Sequence, residues 1–180
     1  MLKLQGERLY LAALEREHCR KLYEAEEYDF AHIAEPLYIG ASVESADEWY
    51  ESIQKNQGQE GHNLRLGIFL NDGTVIGDVA LQELSWRNRN CNLGFGVARL
   101  EHRGKGYSTQ AAALLLDHAF GNLGLHRVAA YALETNLGSV KCLEKLGFVL
   151  EGRSRQDRWI AGQWVDMLQF ALLRDEWRQP

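Results

Sequence analysis

The sequence predicts an α/β (α+β) protein with about seven strands and about four helices. Segments with a strand pattern and segments with a helical pattern follow one another along the whole chain. Residues 71–73, Asn-Asp-Gly, are a hairpin signal between two of the strands, and residues 126–133 form a nearly continuous apolar run typical of a buried strand. A chain of 180 residues can bury a core as one domain, which we expect to span residues 1–180.

Composition narrows the function classes. The chain has 20 Lys and Arg against 25 Asp and Glu, a net charge of −5, which argues against a general nucleic-acid binder and is compatible with a cationic acceptor such as an amine. The three cysteines are odd in number and predict free thiols in a reducing compartment, and no cysteine and histidine spacing indicates a metal site. No signal peptide and no apolar run of about 18 residues is seen, so we expect a cytoplasmic protein that does not bind membranes.

The N-terminal part is predicted to contain a strand at residues 8–14 and a helix at residues 15–27. Cys19 lies on one face of that helix with other apolar residues, so we expect it in the core and not in catalysis. Ser45 and Glu48 have the spacing of a capping box, which predicts the start of a second helix there.

Two strands are predicted at residues 64–70 and 75–84, joined by the hairpin signal. Asp78 lies on the second strand, and we expect it at an edge or facing solvent. Glu83 lies near the end of the same strand, where a carboxylate could take part in chemistry. The alternative for Glu83 is an ordinary exposed glutamate.

Residues 91–97 predict a strand that leads into a turn with Gly104 and Gly106 and then into an apolar helix at residues 106–120. Backbone NH groups at a helix start lack intrahelical partners, and the helix dipole adds about half a positive charge there. Strand, glycine turn and helix therefore indicate a cradle for phosphate or pyrophosphate. The alternative is that the glycines serve only the turn. His118, on the apolar side of the helix, is expected to be a core histidine.

The C-terminal part is predicted to begin with a central strand buried on both faces at residues 126–133. A helix should follow, from the N-cap Asn136 to the terminating Gly147. The remaining predicted elements are a strand at 148–153, a basic loop at 154–163 and a strand at 164–173.

Two motifs carry a resemblance to a known family. Residues 101–106 read Glu-His-Arg-Gly-Lys-Gly, and residues 136–148 contain Asn-x-x-Ser followed by Glu-Lys-x-Gly-Phe. Together they resemble the GCN5-related N-acetyltransferase (GNAT) superfamily, in particular its ribosomal-protein N-acetyltransferase-like branch, over nearly the whole chain. Glu101 departs from the Gln or Arg of the superfamily motif. The resemblance implies a mixed, mostly antiparallel central sheet, splayed at the acetyl-CoA site.

The resemblance also implies acetyl-CoA as co-substrate, with its pyrophosphate on the amides of the glycine turn and its pantetheine arm along residues 91–97. In the superfamily that strand is bulged, and Gly94 and Gly96 are consistent with a bulge. The cofactor-binding residues implied in this way are Phe95, Gly96, Val97, Arg103, Gly104, Lys105, Gly106, Tyr107, Ser108, Asn136 and Lys141.

The catalytic residues of the family match this sequence less directly than the cofactor-binding residues do. Ser139 would face the acetyl-CoA sulfur and takes the place of a tyrosine acid that many members have at the position of Leu143. Many relatives have a glutamate base at the position of Asn92, which cannot take a proton. Glu83 is the remaining candidate for that role, and residues 28–42 would wall the acceptor site.

The predicted function is acetyl transfer to a primary amine by direct attack. A peptide N-terminal α-amine is the preferred acceptor, because it titrates near 8 whereas a lysine side chain titrates near 10.4. Two alternatives stay open: a small-molecule polyamine or aminoglycoside acetyltransferase, and a non-catalytic acetyl-CoA-binding module. A homodimer is compatible with the family.

Overall fold

In the computed structural model, residues 2–25, 42–57 and 62–179 are described, and within them eight strands form one mixed sheet with four α-helices. The strand order is β1-β2-β3-β4-β5-β6-β8-β7, and only β5 and β6 pair in parallel. The strands are β1 (Lys3–Gln5), β2 (Leu9–Ala12), β3 (Leu64–Leu70), β4 (Val75–Ser85), β5 (Asn90–Val97), β6 (Arg127–Leu133), β7 (Val149–Ile160) and β8 (Gln163–Leu173). The helices are α1 (Arg16–Ala25), α2 (Val43–Asn56), α3 (Tyr107–Asp117) and α4 (Leu137–Lys145).

The two faces of the sheet bury different helices. Leu9 and Leu11 of β2 point into the main core, which includes the buried residues of α3 and α4, whereas Tyr10 and Ala12 pack against a second cluster from α1 and α2. Because successive side chains of a strand point to opposite faces, α3 and α4 cover one face and α1 and α2 the other. The cysteines are free and buried, and Cys19 lies in the second cluster, as predicted. Within the described residues, no helix has the length and apolar character needed to cross a membrane.

The N-terminal elements differ from the prediction in detail. The predicted strand at residues 8–14 is shorter, and it pairs with β1, which the sequence did not reveal because three residues are too short for a recognisable alternation. The N-cap of α2 is Ser42 and not Ser45: the Ser42 hydroxyl accepts from the Ser45 amide at 3.4 Å, and the Ser45 hydroxyl accepts from the Ser42 amide at 3.3 Å. A serine can thus occupy the third helical position where a capping box usually has Glu or Gln. The predicted irregular segment lies, apart from Ser42, outside the described residues.

The β3–β4 hairpin is confirmed, with Gly73 at φ 89. The expectation that Asp78 lies at an edge or faces solvent is wrong, because β4 lies between β3 and β5 in the middle of the sheet. The side chain of Asp78 is only 21% exposed and pairs with Arg65 of β3.

The sheet opens between β5 and β6. These strands pair only from Asn90 to Asn92, opposite residues 127–129, and then separate. The expected bulge at Gly94 and Gly96 is wrong: the register with β4 runs without a shift along this part of β5, and the irregularity lies on β4, between Gln82 and Ser85. Pairing is therefore lost because β6 departs and not because β5 bulges.

The helix between β5 and β6 differs from the prediction at its C-terminal end. The helix predicted at residues 106–120 is α-helical to Asp117 and continues as a π-helical turn, His118–Asn122. His118 is half-buried there, with its Nδ1 3.0 Å from the Asn122 side-chain nitrogen.

Strand β6 was predicted to be buried on both faces, and this prediction is wrong. Val128, Ala130 and Ala132 are buried, but Tyr131 is 54% exposed. The apolar run misled because the exposed position is filled by a tyrosine.

The predicted basic loop at residues 154–163 is also wrong, because the segment forms the second part of β7, the turn and the first residue of β8 in a long hairpin. The strands are joined by Ala161 and Gly162, at φ 47 and 82, which is a two-residue turn with positive φ at both positions. Two features hid the strand. Most residues of β7 are exposed, as an edge strand allows, and the register shifts between Ser154 and Arg158.

Candidate functional site

A cavity of about 470 Å³ lies where β5 leaves β6, between the end of β5, the start of α3 and the first turns of α4. Its volume is within the usual range of small-molecule and cofactor sites. Ten of the eleven residues assigned to cofactor binding line it, as does Ser139; Lys105 and Glu83 do not. Its lining residues are Phe95, Gly96, Val97, His102, Arg103, Gly104, Gly106, Tyr107, Ser108, Thr109, Asn136, Gly138, Ser139, Lys141, Cys142 and Lys145.

The glycine turn presents backbone amides to this cavity. Gly104 and Gly106 have φ of 72 and 81, a conformation that costs a residue with a β-carbon about 1 kcal/mol or more. Gly106 is the N-cap of α3, and it gives the helix no side-chain hydrogen bond. The first amides of α3 also lack partners within the helix, so the turn can bind an anion.

The open side of β5 presents a second set of amides. The Ala98 amide donates to the Ile76 carbonyl of β4 at 2.9 Å. This bond shows which backbone amides of β5 point towards β4 and which point away from it. By this alternation the amides of Phe95 and Val97 point away from β4, towards the gap left by β6. An extended ligand in the gap could therefore pair with β5 as a strand would.

The side chain of Arg103 has a structural partner. Its Nε donates to the Val97 carbonyl at 2.9 Å and its Nη2 to the Ala98 carbonyl at 3.2 Å. The guanidinium therefore holds the end of β5 against the glycine turn. Lys105 is exposed and lies outside the cavity lining.

Helix α4 supplies the opposite wall. The Asn136 side chain caps α4 by accepting from the Ser139 amide at 3.0 Å, as the sequence predicts. This bond orients the first helical turn, and Ser139 is half-buried there. Lys141 and Lys145 lie one turn apart, so both can face the cavity.

Five lining residues were missed: His102, Thr109, Gly138, Cys142 and Lys145. Lys145 belongs to the Glu-Lys-x-Gly-Phe motif and lies four residues after Lys141, so its position could have been inferred. Cys142 gave no such signal. Burial raises the pKa of its thiol although the Thr109 hydroxyl, 3.3 Å from the sulfur, opposes the shift, so the thiol stays protonated near neutral pH.

Glu83 lies on the other face of the sheet. Cys91 and Leu93 point into the core below α3, so Asn92 between them points to the opposite face. There the Asn92 amide donates to the Glu83 carboxylate at 2.7 Å. Glu83 itself is at φ 53 in the irregular part of β4, and its own amide donates to the Asn63 side chain at 3.0 Å. The Glu83 carboxylate is thus held next to the side chain of Asn92.

The Asp78–Arg65 pair lies on that same face. Asp78 is the register partner of Gly96, which lines the cavity, and the Arg65 guanidinium lies 5.7 Å from the Trp49 ring centroid. Burial raises the pKa of Asp78, while the attraction of Arg65 acts in the opposite direction. In the ion pair, the positive charge of Arg65 balances the negative charge of Asp78.

The known proteins to which this chain is similar are named as acetyltransferases. A family model described as an acetyltransferase (GNAT) domain matches residues 8–149. The Bacillus subtilis protein YdaF, provisionally named a ribosomal N-acetyltransferase, is 30% identical over 175 residues, which are 96% of this chain and 94% of YdaF. The Vibrio cholerae spermidine N(1)-acetyltransferase is 29% identical over 103 residues, 57% of this chain and 59% of that protein.

Solved structures with the same fold contain CoA. The Vibrio cholerae spermidine N-acetyltransferase in complex with CoA and spermine has a TM-score of 0.82 at 25% identity, covering 95% of this chain and 98% of that one. Mycobacterium smegmatis RimJ in complex with CoA-disulfide has a TM-score of 0.81 at 25% identity, covering 93% of this chain and 83% of that one.

Proposed function

Because the chain belongs to the GNAT family of acetyltransferases, we propose that it moves the acetyl group of acetyl-CoA to the N-terminal α-amine of a protein or peptide. The observation that carries the acceptor part is a carboxylate of β4 that has no arginine partner among the residues that the structure describes. Of the two carboxylates on this strand, Asp78 is balanced by Arg65, whereas Glu83 accepts a hydrogen bond from the neutral amide of Asn92. One carboxylate that is not paired with an arginine suits an acceptor with a single amine better than a polyamine with several.

Acetyl-CoA supplies the acetyl thioester. The cavity suits this co-substrate because anion-binding amides at the glycine turn continue into the unpaired amides of β5. The amides of Gly106, Tyr107 and Ser108 would hold phosphate oxygens, and Lys141 would add a cation from α4. The amide of Val97 would stabilise the negative charge that develops on the thioester oxygen.

Glu83 is proposed to receive the proton of the attacking amine, directly or through water. Its place on the face opposite α3 means that the amine would approach from one side of the gap and Ser139 would act from the other. An α-amine needs little help, because about 3 kcal/mol less is required to deprotonate it at neutral pH than a lysine side chain. Most of the rate would come from positioning the amine against the thioester.

Ser139 is proposed to donate a hydrogen bond or a proton to the departing thiolate. The Asn136 cap fixes the turn that carries it. A thiolate is a good leaving group, so Ser139→Ala should lower kcat about tenfold, less than the loss of a typical general acid. Ser52→Ala, on α2, is the matched control and should leave kcat unchanged.

The deciding experiment is release of CoA thiol from acetyl-CoA with a panel of acceptors. The panel holds peptides with free Ser, Ala or Met N-termini, N-blocked peptides that contain lysine, spermidine, and an aminoglycoside. We expect turnover only with free N-termini. A rate that still rises steeply above about pH 9 would contradict an α-amine acceptor.

A polyamine acceptor is the second candidate, favoured by the similarity to a spermidine acetyltransferase. Turnover of spermidine without turnover of free N-termini would establish it and overturn the α-amine proposal. Glu83→Gln, compared with the exposed-site control Glu48→Gln, should lower kcat/KM in either case. Binding of acetyl-CoA without turnover of any acceptor would favour a non-catalytic module.

A further inference from the structure

Arg8 lies beside the glycine turn, although nothing in its sequence context marks it as part of the site. The β1–β2 turn carries it there: Gly6 packs so closely on α3 that a β-carbon would come within 3.0 Å of Leu114, and the Arg8 amide donates to the Gln110 side chain at 3.4 Å. The Arg8 guanidinium lies 5.0 Å from the Tyr107 ring centroid. Its Nη2 is 3.3 Å from the point where a β-carbon on Gly106 would be.

The exposed guanidinium of Arg8 lies near the end of α3 at which the helix dipole disfavours a cation. The start of α3 already carries about half a positive charge, and cations are normally favoured at the other end of a helix. In the part of the chain that the structure describes, no carboxylate pairs with Arg8. The nearest acidic residue of the turn, Glu101, contacts Arg99 at 3.8 Å and His102 at 3.4 Å instead.

An anion between the guanidinium and the helix start would remove this repulsion, because both would then bind it. Arg103 of the turn is less suited, because its guanidinium already donates to the carbonyls of Val97 and Ala98. A guanidinium also presents a fork of donors that matches a phosphate group.

We propose that Arg8 is a ligand of the CoA pyrophosphate, which it would clamp against the amides of Gly106, Tyr107 and Ser108. The β1–β2 turn is thereby part of the cofactor site. The inference rests on the proposed function only in taking the cavity as the CoA site.

The test is calorimetric binding of three probes: CoA, 3′-dephospho-CoA, which keeps the pyrophosphate, and pantetheine, which has no phosphate. We expect Arg8→Gln to raise the Kd about tenfold for CoA and for 3′-dephospho-CoA, and to leave pantetheine binding unchanged. Arg8→Lys should recover part of the affinity. Arg87→Gln removes the same charge from the β4–β5 turn, at the other end of β5, and should bind all three probes like the unmodified protein.

Three results would overturn the inference. An unchanged Kd for CoA in Arg8→Gln would show that Arg8 does not contact the cofactor, and an equal loss for pantetheine would indicate a structural effect. An effect with CoA but not with 3′-dephospho-CoA would assign Arg8 to the 3′-phosphate. If the unmodified protein bound none of the probes, the CoA assignment itself would fail, a result that the variants cannot imitate.

Discussion

His118 is held neutral where α3 passes into the π-helical turn. Its Nδ1 lies 3.0 Å from the Asn122 side-chain nitrogen, a geometry in which a neutral imidazole accepts from the amide. Partial burial lowers the pKa of His118 below its ordinary value of about 6.5. Protonation therefore costs this part of the fold its hydrogen bond.

The pKa shift predicts the sign of one pH dependence. Just below pH 6.5 the unfolded chain protonates His118 more fully than the folded protein does, so the free energy of unfolding should fall as the pH falls through this window and be fully retained above it. Urea unfolding across the window, compared between the natural chain and His118→Gln, isolates this contribution. If both chains lost stability in parallel, His118 would not be its source.

The Asp78–Arg65 pair makes a second prediction at the residue scale. Asp78→Ala should lower the free energy of unfolding by about 2 kcal/mol, because it leaves a guanidinium that is only 23% exposed without its partner. The double variant Asp78→Leu with Arg65→Met should recover much of this loss, since it removes both charges. A double variant less stable than Asp78→Ala would show that the pair stabilises beyond charge balance.

At the scale of elements, the turn of the β7–β8 hairpin is open to improvement. Ala161 is at φ 47, where an alanine is strained and an asparagine is readily accepted, and the next residue is Gly162. Ala161→Asn should raise the free energy of unfolding by about 0.5 kcal/mol, and Gly162→Ala should lower it by about 1 kcal/mol. Equal unfolding midpoints for all three chains would contradict the turn geometry.

The elements that the sequence predicts well are those whose cause is local. Strand β3, the β3–β4 hairpin, the Asn136 cap and the glycine turn each depend on a few adjacent residues, and the structure has them where expected. The strands at 148–153 and 164–173 were predicted, but the second part of β7 was taken for a loop because an edge strand does not need an apolar face. Most of the cavity lining followed from the family motifs.

Other features of the site could not be predicted because they join distant parts of the chain. The Glu83–Asn92 hydrogen bond depends on a register shift in β4, which no spacing reveals. Arg8 reaches the start of α3 only through the packing of Gly6 on that helix. Asp78 was misplaced because a lone carboxylate in a strand gives no sign of the arginine on the neighbouring strand.

At the scale of the whole molecule, CoA bound in the gap between β5 and β6 should stabilise the folded protein. At about a hundred times its Kd, CoA should add about 2.7 kcal/mol to the free energy of unfolding. For a chain of this size that corresponds to a rise in Tm of about 5–10 °C, measurable by calorimetry. Pantetheine at the same concentration is the control and should raise Tm less. No shift with CoA would contradict the assignment of the cavity.

The separation of β5 from β6 gives this protein an edge strand in the interior of its sheet. Unpaired edges invite the addition of a strand from another chain, the usual beginning of aggregation. The same amides that we propose for the pantetheine arm could then recruit an extended segment of a partially unfolded neighbour. We would therefore expect the protein to scatter more light on prolonged storage without CoA than with it, so that the co-substrate also protects the solubility of the enzyme that uses it.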